Sequence, residues 1–173
     1  MKKTTTLTLC AMLISLALAL SYAERFIPLQ MLIPLPGIKL GLANIVTLTV
    51  LYLLGAKSAF TILVLRCFLG SLFGGGITGF LFSLCGGLLS MTVMTFTRRL
   101  TCFSVYGVSI LGAAAHNIGQ IAIAILLMRS VYIGAYLPYL LIVALFTGFA
   151  TGSACAGILK ILLRLRDNRS GSV

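Results

Sequence analysis

Long apolar runs, separated by short breaks rich in glycine, proline or basic residues, dominate the pattern along this chain. A helix needs about 20 apolar residues to cross a bilayer, with a range of roughly 17 to 25. Six runs approach this length, so the pattern predicts an all-α integral membrane protein, with six transmembrane helices in a single membrane domain. The predicted spans are residues 7–23, 38–54, 58–73, 77–96, 105–128 and 137–163, followed by a basic tail at 164–173.

The basic residues predict the orientation of these spans. Three of them, Arg25, Lys39 and Arg129, fall on one side of the six-span arrangement. The other side carries Lys2, Lys3, Lys57, Arg98, Arg99, Lys160, Arg164, Arg166 and Arg169. Because cytoplasmic loops carry the excess of Lys and Arg, we expect a multi-pass protein of the bacterial inner or plasma membrane with both termini in the cytoplasm.

Composition supports the same class and excludes others. Hydrophobic residues make up 60% of the chain, charged residues 9%, and the mean hydropathy is +1.16, whereas a soluble domain has about 25% charged residues. The net charge of +11 could suit a nucleic-acid-binding protein. However, the basic residues lie at the ends of apolar segments, so we expect lipid and not nucleic acid as the surrounding partner.

The first apolar run also fits a secretory signal peptide. Lys2 and Lys3 would be its basic region, and the residues Ser21-Tyr22-Ala23 before Glu24 resemble a cleavage site. The downstream chain is membrane-embedded throughout and needs no separate export signal. We therefore favour a retained first span, while cleavage of residues 1–23 stays open.

A stripe of small residues follows one face of this first span. Its members, spaced by four, are Ala11, Ser15, Ala19 and Ala23. In lipid, such stripes let helix backbones approach closely. The stripe could pack within the bundle or dock a partner helix.

Polar side chains within the spans are the candidate binding site. His116, Asn117 and Gln120 lie within the fifth span and Arg66 within the third, and polar groups at this depth usually face a bundle interior. A purely structural interpretation is that these polar side chains form hydrogen bonds between helices. We predict instead that these four residues line one outward-opening pocket for a small molecule, in which the permanent charge of Arg66 would favour an anionic group.

The second span extends this candidate site. Gly37, Gly41 and Asn44 are predicted to share one helix face, and Lys39 lies near the outer end. We therefore include Asn44 and Lys39 among the substrate-binding candidates. Glu24 closes the first span on the same outer side, where it could pair with Arg66.

The residue content of the chain does not favour a catalytic function. Glu24 and Asp167 are the only acids, so no carboxylate pair exists for acid–base work or for magnesium-bound diphosphate. The cysteines are dispersed without a C-x-x-C pair, and no Walker A motif occurs. We expect no enzyme activity, metal or cofactor, and any energy coupling must come from another subunit.

Several blocks together resemble the Gx transporter family, which also carries the label heptaprenyl diphosphate synthase component I. The blocks are Pro36-Gly37-Ile38-Lys39-Leu40-Gly41-Leu42-Ala43-Asn44, Leu-Leu-Gly-Ala-Lys at 53–57, Arg66, Ser-Leu-x-Gly-Gly-x-Leu-Ser at 83–90, Gly-Val-Ser-Ile-Leu-Gly-Ala at 107–113, His116-Asn117-x-Gly119-Gln120 and Leu137-Pro138. The resemblance covers about residues 7–163. It implies an architecture similar to the S components of energy-coupling-factor transporters, which bind the substrate in the membrane.

The resemblance also implies partners. S components dock through an Ala-x-x-x-Ala helix onto a transmembrane coupling subunit driven by a pair of ATPases, and the stripe matches that helix with Ser15 as a departure. Two other functions stay open. The chain could be a non-catalytic membrane partner of a prenyl diphosphate synthase, or a membrane subunit in quinone- or flavin-linked redox metabolism.

Overall fold

The structure, a computed structural model, describes residues 3–26 and 41–170, and this part of the chain is helical without any strand. The helices are α1 (Lys3–Ala23), α2 (Asn44–Leu54), α3 (Ala56–Gly70), α4 (Gly76–Thr97), α5 (Val105–Met128) and α6 (Leu137–Ser170). Short 3-10 turns follow α1 (Glu24–Phe26) and precede α6 (Val131–Tyr136), and a π-helical turn (Ser71–Gly75) joins α3 to α4. The all-α prediction is confirmed.

Four stretches of the described residues are long and apolar enough to cross a membrane. They are Ala56–Phe73, Gly76–Thr97, Val105–Met128 and Val131–Leu162. Two shorter helical stretches, Thr8–Ala23 and Asn44–Leu54, are also apolar. The chain is therefore a membrane-embedded protein, while six complete spans stay a prediction.

The predicted spans agree best with the helices in the C-terminal half. The fifth predicted span has the same bounds as α5, and α4 exceeds the fourth by one residue at each end. The third span is not one α-helix, because α3 ends at Gly70 and the π-helical turn follows. At the C-terminus, α6 continues to Ser170, so the segment assigned to the basic tail is helical up to that residue.

The prediction that Gly41 and Asn44 share a helix face was wrong. Gly41 has φ +85° and precedes the helix, which begins only at Asn44. Glycine adopts this conformation without steric cost, whereas L-residues, which have a Cβ atom, rarely do. Gly37 and Lys39 lie outside the described residues.

Helices α4, α5 and α6 pack closely along a set of glycines that we call the glycine seam, Gly86, Gly119, Gly148 and Gly152. A Cβ atom on Gly119 would lie 2.9 Å from the carbonyl oxygen of Cys85, and one on Gly148 would lie 2.6 Å from Cα of Ile110. These contacts are backbone to backbone, so only glycine permits such close approach of neighbouring helices. The seam makes this half of the protein the tightly packed one.

The ends of α2 and α4 meet at the opposite end of the bundle from Arg66. Arg98, just after α4, donates hydrogen bonds to the carbonyl oxygens of Leu51 and Tyr52, and its guanidinium lies 4.7 Å from the centre of the Tyr52 ring. Lys57 lies near the start of α3, directly after α2. The basic residues of two predicted cytoplasmic connections therefore lie at one end of the molecule.

Candidate functional site

A cavity of about 400 Å³ lies between the C-terminal ends of α1 and α3, the start of α4 and the middle of α5. Ligand sites for small molecules commonly have volumes of about 300–1,000 Å³. The lining residues are Leu18, Ala19, Ser21, Tyr22, Glu24, Gly41, Arg66, Cys67, Gly70, Ser71, Phe73, Gly79, Ser83 and His116. Most of the wall is apolar or small, and a few polar side chains interrupt it.

Arg66 supplies a guanidinium to this cavity. Its side chain is 6% exposed, and helix α3 positions it so that Nη1 donates to Oγ of Ser21 at 3.3 Å and Nη2 donates to Oδ1 of Asn44 at 3.2 Å. Nε has no hydrogen-bond partner within the described residues. A guanidinium has five N–H donors. Arg66 is therefore held in place by two neighbours and keeps donor capacity within the cavity wall.

Glu24 supplies a carboxylate to the same cavity. Its side chain is 5% exposed and accepts a hydrogen bond from the backbone N–H of Leu42. The 3-10 turn after α1 places it there, so this carboxylate ties the end of α1 to the turn that precedes α2. Sequence reasoning considered Glu24 as a possible partner of Arg66 and missed it as a lining residue.

Gly41 lines the cavity just before helix α2 begins. A Cβ atom on Gly41 would lie 2.9 Å from Nδ2 of Asn44 and 3.5 Å from Cδ2 of His116. Its carbonyl oxygen also accepts the N–H of Asn44 at 2.8 Å. The positive φ of Gly41 thus sets the start of α2 and, through Asn44, the position of the Arg66 guanidinium.

The polar group predicted on α5 faces more than one direction. His116 is 3% exposed and lines the cavity. Asn117, one residue on and therefore about 100° around the helix, donates through Nδ2 to the carbonyl oxygen of Leu140 on α6 at 2.8 Å. Gln120 is fully buried and packs close to Gly86 on α4. The structure brings His116 and Arg66 to one cavity, and directs Asn117 and Gln120 into helix contacts.

The small-residue stripe lies on the surface of α1. Ala11, Ser15, Ala19 and Ala23 are all exposed. The hydroxyl of Ser15 donates to the carbonyl oxygen of Ala11 at 3.1 Å, so its polar atom is satisfied within its own helix. Ala19 also borders the cavity. The stripe is accessible to another helix over its whole length.

Sequence reasoning missed several further lining residues. Ser21 and Tyr22 end α1, Cys67 follows Arg66 on α3, and Phe73 belongs to the π-helical turn. Single π-helical turns often mark functional sites. The run of three glycines at 74–76 signals a break at this point in the sequence, but not the side of the bundle that it faces.

The described residues contain no group of three or more His, Cys, Asp or Glu side chains able to hold a metal ion. The described part of the cavity lining instead combines one guanidinium, one carboxylate, one imidazole and several hydroxyls with apolar walls. Such a set can bind a small molecule that has both an apolar body and hydrogen-bonding groups.

The chain matches the model of a known protein family. The model of the family described as heptaprenyl diphosphate synthase component I matches residues 13–158. No curated protein and no solved structure matches the chain. The match covers most of the chain, and the chain therefore belongs to this family of membrane proteins.

Proposed function

We propose that this member of the component I family is the substrate-binding subunit of an ATP-driven transporter of the energy-coupling-factor type, with an S-component-like bundle of six spans. The cavity around Arg66 carries this proposal. Burial of a guanidinium in an apolar bundle costs free energy, and the Arg66 side chain is only 6% exposed. A cavity beside this charge supports a role for Arg66 in ligand binding. The subunit would bind a small molecule there.

The residues favour binding over catalysis. Glu24 and Asp167 are the only acids in the sequence, and Asp167 follows the last predicted span. Diphosphate chemistry with magnesium needs clustered carboxylates. In this proposal the chain performs no chemical step, and partner subunits supply the energy.

The exposed stripe on α1 supports docking to a coupling subunit. Small side chains at Ala11 and Ser15 leave the helix backbone accessible to another helix, and both residues are exposed. The transmembrane coupling subunit would pack there and transmit ATP hydrolysis from a pair of ATPases.

The orientation follows from the basic end of the molecule. Arg98 and Lys57 lie at the end opposite to Arg66, and the positive-inside rule assigns such an end to the cytoplasm. The cavity would then face outwards, with both termini in the cytoplasm. Tags at each terminus should resist protease in intact cells, and an externally accessible C-terminus would contradict this orientation.

Copurification tests the transport proposal directly. The tagged chain, solubilised from its own membranes, should retain a transmembrane coupling subunit and two ATPases. Ala11→Leu should reduce their recovery, because the larger side chain separates the helix backbones. Ala122→Leu is the matched control, since Ala122 is exposed on α5 outside the stripe. Equal recovery from both variants would remove the stripe from the docking surface.

The family description favours a second candidate function. A protein described as component I of heptaprenyl diphosphate synthase could be the membrane partner of a soluble synthase. In that case the same purification should retain an Asp-rich soluble prenyl diphosphate synthase, and no ATPase. Recovery of a flavoprotein or quinone-linked enzyme would instead indicate a redox assembly.

A further inference from the structure

We infer that a groove at the junction of α5 and α6 binds the phosphate of a membrane phospholipid and prefers anionic lipids. The groove lies between the end of α5 and the 3-10 turn that precedes α6, and its described lining residues are Arg129, Ser130, Val131, Tyr132 and Ala135. None of these residues lines the cavity around Arg66. The groove is therefore a separate site, and the inference does not depend on the proposed transport function.

The backbone of Arg129 points to a use for its side chain. Arg129 follows the last residue of α5 with φ +51° and ψ +35°, and it is the only non-glycine residue with positive φ in the described part of the chain. Helices often end with a residue in this left-handed conformation, but that residue is usually glycine, because a Cβ atom makes the conformation unfavourable. An arginine here costs stability, and binding by its guanidinium would explain why it is present.

The side chains of the groove offer hydrogen-bond donors to an anion. Arg129 is exposed, and its guanidinium has no hydrogen bond or ion pair with another described residue. Ser130 and Tyr132 add two hydroxyl groups, and no acidic side chain is among the described lining residues. A guanidinium can donate two parallel hydrogen bonds to a phosphate. The groove therefore combines a positive charge with further donors, as a phosphate requires.

The apolar surroundings of the groove favour a lipid as the source of this phosphate. Val131 is 79% exposed and Tyr132 90%, whereas the next residue, Ile133, is buried and anchors the turn to the bundle. Leu126, on the last turn of α5, is 71% exposed and lies three residues before Arg129, on a similar side of the helix. Tyrosine is enriched at the level of lipid head groups. A phospholipid can place its phosphate at Arg129 and an acyl chain along Leu126.

The chain contains no tryptophan, so one introduced Trp can report on the lipid beside it. Leu126→Trp, in the full chain, places this probe one turn from Arg129. Phe146→Trp is the reference, because Phe146 is 73% exposed on α6 and has no charged residue within one turn of it along the helix. Both variants are reconstituted in vesicles of phosphatidylcholine with brominated phosphatidylglycerol, and in vesicles with the bromine on the other lipid. Quenching of Trp fluorescence by bromine then gives the relative affinity of the two lipids at each probe.

The lipid preference should be confined to the groove. At Leu126→Trp we expect phosphatidylglycerol to bind roughly fivefold more tightly than phosphatidylcholine, the ratio for one basic residue near an anionic lipid. Adding Arg129→Gln should lower this ratio to that of Phe146→Trp. Adding Arg99→Gln instead, which removes an exposed charge just after α4, should leave the ratio unchanged. Equal ratios at the two probes, or a ratio that Arg129→Gln does not alter, would overturn the inference.

A further variant separates lipid binding from a role in ending α5. A cation near the C-terminus of a helix is favourable because of the helix dipole, which is the alternative explanation for Arg129. Arg129→Gly removes the side chain and also relieves the unfavourable conformation. It should abolish the preference for phosphatidylglycerol in vesicles without lowering Tm in neutral detergent. A retained preference would contradict lipid binding, and so would a lowered Tm, because the helix end would then account for the arginine.

Discussion

Glycines have opposite effects at the glycine seam and at the Arg66 cavity, although α4 and α5 contribute to both. At the seam, glycines such as Gly119 and Gly148 allow backbones to touch and leave no space for a side chain. At the cavity, Gly79 lines open space, and a Cβ atom there would have no neighbour within 4 Å. Glycine thus permits close packing at the seam and leaves open space at the cavity. Only the position of the neighbouring helix distinguishes the two cases.

This difference also separates the polar residues by role. Asn117 faces α6 and its amide is bonded to a backbone carbonyl, whereas His116, its neighbour in sequence, faces the cavity. Polar groups on the seam side hold helices together. Those on the cavity side line the space that a ligand would occupy.

The largest expected effect comes from filling the seam. Gly148→Ala would place Cβ 2.6 Å from Cα of Ile110, a backbone atom that cannot move alone. We expect a loss of about 3 kcal/mol in the free energy of unfolding, at the upper end for overpacking. Gly157→Ala, on the same helix with open space around it, should be neutral or stabilise the helix by up to about 1 kcal/mol. Thermal unfolding in detergent measures both, and equal Tm values would refute close packing at Gly148.

The two neighbouring residues on α5 should separate binding from folding. His116→Ala should weaken the binding of the proposed small-molecule ligand roughly 5- to 150-fold, if one hydrogen bond worth about 1–3 kcal/mol is lost. Asn117→Ala should leave this affinity unchanged, because its amide contacts α6 and does not line the cavity. The amount of small molecule that stays with each purified variant, measured by mass spectrometry, decides the assignment. Equal losses of affinity would show that α5 acts on the cavity as a unit.

A substitution at Gly41 should affect both stability and binding. Gly41→Ala forces an L-residue to φ +85°, at a cost of about 1–2 kcal/mol, and moves Cβ against the Asn44 amide that holds Arg66. We expect a lower Tm and weaker binding of the proposed small-molecule ligand. Gly55→Ala is the matched control, since Gly55 has φ +87° and open space around it. It should lower Tm similarly and leave binding intact, and an equal loss of binding in both would exclude a local role for Gly41.

The smallest effect concerns a hydroxyl pair beside the seam. The side-chain oxygens of Ser109 and Thr151 are 2.6 Å apart between α5 and α6. Ser109→Ala removes this bond, but the Thr151 hydroxyl still donates to the carbonyl oxygen of Gly148 at 3.1 Å. We therefore expect a loss of only about 0.6 kcal/mol, the average for such bonds in membrane proteins. A loss as large as that of Gly148→Ala would mean that polar contacts, and not backbone packing, hold the seam.

The apolar pattern determined the helical class, the membrane setting and the bounds of α5, because lipid requires long apolar helices that satisfy their own backbone hydrogen bonds. It also pointed to His116 and Arg66, since polar groups at such depth stand out in an apolar run. Tertiary structure alone decided which polar groups meet. Asn117 and His116 are adjacent in sequence and face different helices, and Glu24 reaches the cavity through a turn that no periodicity describes. Spacing along a helix fixes the direction of a side chain, but the packing of the helices determines what lies in that direction.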